Sequence, residues 1–157
     1  MYGFNADEVF EMALQLERNG ARFYREAARS LDDPDSKNLL QSLAVMEDNH
    51  EATFAKMRTQ FTEDKETLAV YDPHGEASLY LKAFADTRVF FNKKIDTSLA
   101  EAIFKDAIVA EKDSIVFYLG MKEAVPRDFG REQLDAIIRE EMAHVRLLSE
   151  RLVHYKK

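Results

Sequence analysis

The chain has 157 residues, 46% hydrophobic and 32% charged, enough for one domain whose core needs no staples. It has no cysteine, which excludes a disulfide framework, a thiolate zinc site and an iron–sulfur or rubredoxin-type centre within these residues. A net charge of −7 argues against a nucleic-acid partner. No apolar run approaches membrane-spanning length, and the start MYGFNADEVF lacks the pattern of a signal peptide, so no membrane partner and a cytoplasmic location are expected.

Five Gly and three Pro leave long helices easy to form. The first is expected to start at Asn5, with Glu8 closing a capping box, and to run to about Ser30 with Phe10, Ala13, Leu14, Ala21, Tyr24 and Ala28 on one stripe. Asp33-Pro34 restarts the chain, with Pro at the first helical position where its missing N–H costs nothing. The second helix carries Leu40, Leu43, Phe54 and Met57 on one face.

A connection over about 63–97 follows, with a turn at Asp72-Pro73-His74-Gly75 and then a short helix in EASLYLKAFADTRVFF. A 27-residue helix spans about 40 Å, and a connection of this length can travel that far, so the helices on either side of it would run parallel. Its Leu79, Tyr80, Leu81, Phe84, Val89, Phe90 and Phe91 make it unusually apolar. They either cover the bundle or bury an interface between copies; a homodimer or higher homo-oligomer is the expected assembly.

Ser98 with Glu101 reads as a second capping box, opening a helix with Phe104, Ala107, Ile108, Ile115 and Tyr118 inward. Pro126 breaks the chain, and a last helix runs from about Asp128 with Leu134, Ile137, Leu148 and Leu152 inside. The fold expected is all-α: one four-helix bundle domain over 1–157, made of helical hairpins at about 5–62 and 98–155.

The two hairpins repeat each other at a fixed offset of 94 positions: Phe10 with Phe104, Ala13 with Ala107, Glu17 with Glu111, Phe23 with Phe117, Tyr24 with Tyr118. Without a gap, Leu40, Glu47 and His50 continue onto Leu134, Glu141 and His144. Two amphipathic hairpins share Leu and Phe simply because both need apolar stripes, but that does not explain Glu on the stripe. Glu17 lies seven residues after Phe10 and seven before Tyr24; Glu111 has the same setting between Phe104 and Tyr118. In Leu40, Leu43, Glu47, His50, Phe54, Met57 the steps alternate three and four, which puts Glu47 and His50 inward; Glu141 and His144 repeat this.

Four carboxylates and two imidazoles would then meet in an apolar interior. Bare anions there would cost several kcal/mol each or take up protons as their pKa rose. Two divalent cations bring the charge to zero, and neutral imidazoles add ligand nitrogens. A lone Glu-x-x-His is a weak signal, whereas two on inward faces, each preceded at a matched distance by an inward Glu, are a strong one. The bland rival is a metal-free polar network paired with Arg or Lys.

At these residues the chain resembles the ferritin-like di-iron carboxylate proteins, which hold two metals by one Glu from each of two helices and Glu-x-x-His from each of the others. Within them it resembles the rubrerythrin branch: QLERNGARFYREAA and VAEKDSIVFY look like that branch's first and third helices, EDNH and EEMAH like its metal-binding second and fourth. The resemblance implies two metal ions, iron foremost, although carboxylate and imidazole suit Mn and Zn as well. It implies Glu17 and Glu111 as terminal ligands, Glu47 and Glu141 as bridges, and His50 and His144 completing one metal each. It also implies an oxidoreductase acting on hydrogen peroxide or dioxygen, with non-catalytic iron storage or metal sensing as the alternative.

Two departures stand out. Rubrerythrins usually carry a rubredoxin domain, which these residues lack, so electrons would come from a separate protein such as a rubredoxin. They also place an extra Glu three residues after the third-helix ligand, where this chain has Ser114, with Gly20 at the matching position of the first half. Those small residues either leave room above the metals or simply let helices pack closely. Tyr24 and Tyr118 are candidates to hydrogen-bond a ligand carboxylate, with ordinary core tyrosines the rival reading. Glu140 is expected to be a surface acid, since its partner in the repeat is Met46; His74 and His154 are expected to be solvated, and the Met residues to be core filler.

Overall fold

The computed structural model describes residues 6–63, 74–87, 99–125 and 129–156. They form five helices: α1 (Ala6–Ser30), α2 (Pro34–Glu63), α3 (Glu76–Thr87), α4 (Ala100–Ala124) and α5 (Arg131–Tyr155), and no strand occurs among the described residues. None of the helices is long and apolar enough to cross a membrane.

Pro34 opens α2 at its first position, and Asp33 accepts a hydrogen bond from the Ser36 amide at 2.9 Å, satisfying one of the free N–H groups of the first turn. The same carboxylate pairs with Arg151 near the end of α5, whose Nε also donates to Ser36 Oγ at 2.7 Å. The α1–α2 turn is thereby tied to the far end of the second hairpin. Asn5 and Ser98 lie outside the described residues; α4 is preceded by Leu99, which makes no side-chain cap hydrogen bond. The last helix begins later than the sequence suggests, at Arg131, because Gly130 sits at φ 69° in the left-handed region and cannot belong to it. A Cβ there would also come within 2.5 Å of Met57 Cε, so glycine serves both conformation and space.

α1 packs most extensively on α2, and α4 on α5, giving the two hairpins. Arg58 meets Asp7 and Arg18 meets Glu51, so α1 and α2 run antiparallel. Tyr24 meets Glu111 while Tyr118 meets Glu17, so α1 and α4 are antiparallel too. It follows that α4 runs parallel to α2, as a long crossover between them requires.

The crossover helix α3 lies on α4. Leu81 is fully buried, Tyr80 and Phe84 pack onto the core beside it, and Leu79 points to solvent at 63% exposure. The inward face of α3 therefore covers the bundle. Val89, Phe90 and Phe91 lie outside the described residues. Gly120 of α4 permits the contact, since a Cβ there would lie 2.6 Å from Tyr80 Cδ1. Among the methionines Met57 and Met121 fill core, whereas Met142 is 58% exposed.

The apolar interior comes in two parts. One joins Phe10, Leu14, Phe54, Phe61, Phe117, Met121 and Leu134; the other joins Ala27, Leu40, Leu43, Ile103, Phe104 and Leu148. Each draws on all four long helices. Burying these aliphatic and aromatic side chains contributes roughly 1.5–3 kcal/mol apiece before chain entropy is charged against it. Glu17, Glu47, His50, Glu111, Glu141 and His144 belong to neither part, yet every one is buried.

Candidate metal centre

Those six side chains form a charged layer at mid-height. Glu17 enters from α1, Glu47 and His50 from α2, Glu111 from α4, and Glu141 and His144 from α5. Spacing of three within α2 and α5 sets Glu and His on one face, and the antiparallel α2/α5 pair brings the faces together. His50 Nδ1 lies 3.2 Å from Glu141 Oε1 and 3.4 Å from Glu17 Oε2. His144 Nδ1 lies 3.2 Å from Glu47 Oε1, 3.3 Å from Glu111 Oε1 and 3.0 Å from Glu141 Oε2.

Two overlapping donor sets result. Glu17, Glu47, His50 and Glu141 offer one atom each, all within 4.8 Å of one another, and so do Glu47, Glu111, Glu141 and His144. Glu47 and Glu141 belong to both sets, Glu17 and Glu111 to one each. The two shared carboxylates lie between two places where a cation fits.

The electrostatics show why something positive is needed. Burial, then the charge of Glu111, pushes the Glu47 carboxyl well above the usual range. Burial, then the charge of Glu141, pushes Glu111 up to about 8. Glu17 is raised as well, chiefly by burial. Glu141 is different: burial opposes its charge, but Glu111 and both histidines keep it ionised. Burial also disfavours charged histidine, yet the Glu141 and Glu17 carboxylates hold His50 up at about 11, and Glu111, Glu141 and Glu47 hold His144 up at about 12. Without cations, the layer keeps its charge down only by gathering protons.

Hydrogen bonds do not satisfy it. Glu17 Oε2, Glu47 Oε1, both oxygens of Glu141, His50 Nδ1 and His144 Nδ1 are buried with no hydrogen-bond partner among the described residues. Each such atom costs roughly 1–3 kcal/mol if left so. All of them face the two donor sets, and oxygen with imidazole nitrogen suits Fe, Mn or Zn. The residues fit a pair of divalent cations, and no Lys or Arg reaches these atoms among the described residues.

The outer contacts cross between the hairpins. Tyr24 of α1 donates its hydroxyl to Glu111 Oε1, and Tyr118 of α4 donates to Glu17 Oε1. Burial, then the facing carboxylate, raises both phenols well above their usual range, so they remain donors. Gly20 leaves no open room: a Cβ there would touch Glu47 at 3.4 Å, so Glu47 already occupies that side. Glu140 is half exposed but is more than a surface acid, since its Oε2 lies 2.7 Å from His50 Nε2. Its match to Met46 in the repeat hid it. The available clue was Glu140 adjoining Glu141 on a helix turned toward α2. His74 and His154 are exposed, away from the layer.

Fold and layer together define a ferritin-like four-helix bundle with a carboxylate–imidazole centre. The chain belongs to the rubrerythrin family, whose model matches residues 8–152. Its fold is similar to that of a ferritin-like diiron-carboxylate protein from Thermotoga maritima, with a TM-score of 0.68 and 24% identity over 96% of this chain and 95% of that one. No curated protein matches the chain.

Proposed function

We propose that the chain is a di-iron carboxylate oxidoreductase that reacts with hydrogen peroxide or dioxygen. The observation carrying this is the pair of buried donor sets sharing Glu47 and Glu141 between two apolar clusters. Bound there, the metal pair would supply the redox chemistry. Glu17 and Glu111 would each hold one ion from the side, His50 and His144 would each complete one set through Nδ1, and the two tyrosines would fix the outer carboxylates. The Phe, Leu and Ile side chains above and below exclude water. Electrons would come from a separate donor such as a rubredoxin, and the exposed side chains of α3 leave room for a homodimer contact. A cytoplasmic setting fits this chemistry.

Ser114, standing where the rubrerythrin pattern carries an extra Glu, favours a second reading: non-catalytic iron storage or metal sensing. Stopped-flow oxidation of the ferrous form separates the two. Repeated turnover with peroxide or dioxygen and an electron donor supports the enzyme; a single stoichiometric oxidation with retained iron supports storage or sensing.

A further inference from the structure

The repeat makes the six inner side chains nearly symmetric, and the tyrosines on Glu17 and Glu111 with them, but the outer partners of the two histidines are not. On α5, consecutive residues take both nitrogens of His50: Glu141 faces Nδ1 at 3.2 Å and Glu140 holds Nε2 at 2.7 Å. His144 is fully buried, and its Nε2 has no hydrogen-bond partner among the described residues. The position that the repeat pairs with Glu140 is Met46, which carries no carboxylate.

A neutral imidazole has one N–H and one lone pair, and the hydrogen bond at one nitrogen decides which is which. A carboxylate on Nε2 makes that nitrogen the donor, so it is Nδ1 of His50 that faces the donor set and gives up its proton to an arriving cation. It also fixes the ring plane. His144 has no such partner on Nε2 among the described residues, so its ring is not held from the outer side before a cation binds. Preorganised ligands bind metal more tightly, and removing such an outer partner typically lowers affinity about 10–100-fold.

We infer that Glu140 is a positioning residue that makes the two halves of the centre unequal, so that the Glu17–Glu47–His50–Glu141 set takes the first divalent cation and the set containing His144 takes the second. This rests on the metal-centre reading above and adds an order of filling to it.

The test is anaerobic titration of metal-free protein with Co2+ against a competing chelator, following the visible bands that report coordination geometry. Wild type should bind two Co2+ in resolved steps. Glu140→Ala should weaken the first step about 10–100-fold and leave the second in place, so that the steps merge. Glu140→Gln, whose amide oxygen can still accept from Nε2–H, should restore most of the separation. Two equal steps in wild type would overturn the inference, as would unchanged steps in Glu140→Ala or equal losses in Ala and Gln variants. Wild type that takes up no Co2+ would overturn the metal centre itself, a result distinct from all of these.

Discussion

Tyr118, on the second hairpin, hydrogen-bonds Glu17 on the first, and Tyr24 returns the same contact to Glu111. Each outer carboxylate is thus held by the opposite half of the chain. Tyr118→Phe or Tyr24→Phe keeps the ring packing and removes only the hydroxyl. Either change is expected to weaken divalent-metal binding about 10–100-fold with the helical content unchanged. Competitive metal titration with circular dichroism checks this, and unaltered affinity in both variants would rule out an orienting role.

Glu47 and Glu141 are shared between both donor sets, so neither can be lost without affecting both cations. Glu47→Ala and Glu141→Ala should purify with no bound pair of metals. His154→Ala, exposed at the end of α5, should match wild type. Elemental analysis of protein prepared without chelator decides; two metals retained per chain in either Glu variant would refute the bridging assignment.

The metal-free protein should lose stability as pH rises. Glu111 has its pKa raised from 4.5 to about 8, burial being the main cause. Its protonated form therefore contributes stability that is complete below about pH 4.5 and disappears as pH climbs through about 8. Glu47 shifts in the same direction. The imidazoliums, raised to about 11 and 12, contribute fully below 6.5 and fade only toward those values. Thermal unfolding with chelator present should show Tm falling between about pH 5 and 9. The metal-loaded form should not show this fall, because cations replace the protons. A flat profile in the chelated sample would count against a buried acidic layer.

Gly120 tests the docking of α3. On an exposed helix, Gly→Ala gains up to about 1 kcal/mol. Here the new methyl would meet the Tyr80 ring, so Gly120→Ala should instead cost about 1–3 kcal/mol through overpacking. In a Tyr80→Ala background the same substitution should turn neutral or stabilising. Denaturant melts of the three variants measure the sign; additive losses would mean the ring is not what Gly120 accommodates.

Much of this arrangement can be read from the chain because two signals coincide. The three-and-four spacing places Glu47 and His50 among Leu43 and Phe54, and the repeat returns the pattern at Glu141 and His144. Periodicity fixes which face of a helix a residue occupies, and the match between hairpins says which faces meet. It does not say what lies across from a residue on another helix. Tyr24 follows Glu17 on α1, but its partner is Glu111, which depends on how α1 and α4 cross. Glu140 was hidden for the same reason, its contact being with α2 and without a counterpart at Met46. The late start of α5 reflects the left-handed backbone at Gly130, which no side-chain pattern encodes.

Neither hairpin owns a complete donor set. A single hairpin would leave its Glu, Glu and His facing water, where they are comfortable; only the meeting of hairpins dehydrates them. The adhesive between halves is therefore partly ionic and removable. Chelation should loosen the α1/α4 and α2/α5 seams while each helical pair persists, and amide hydrogen exchange would register the parting along those seams first.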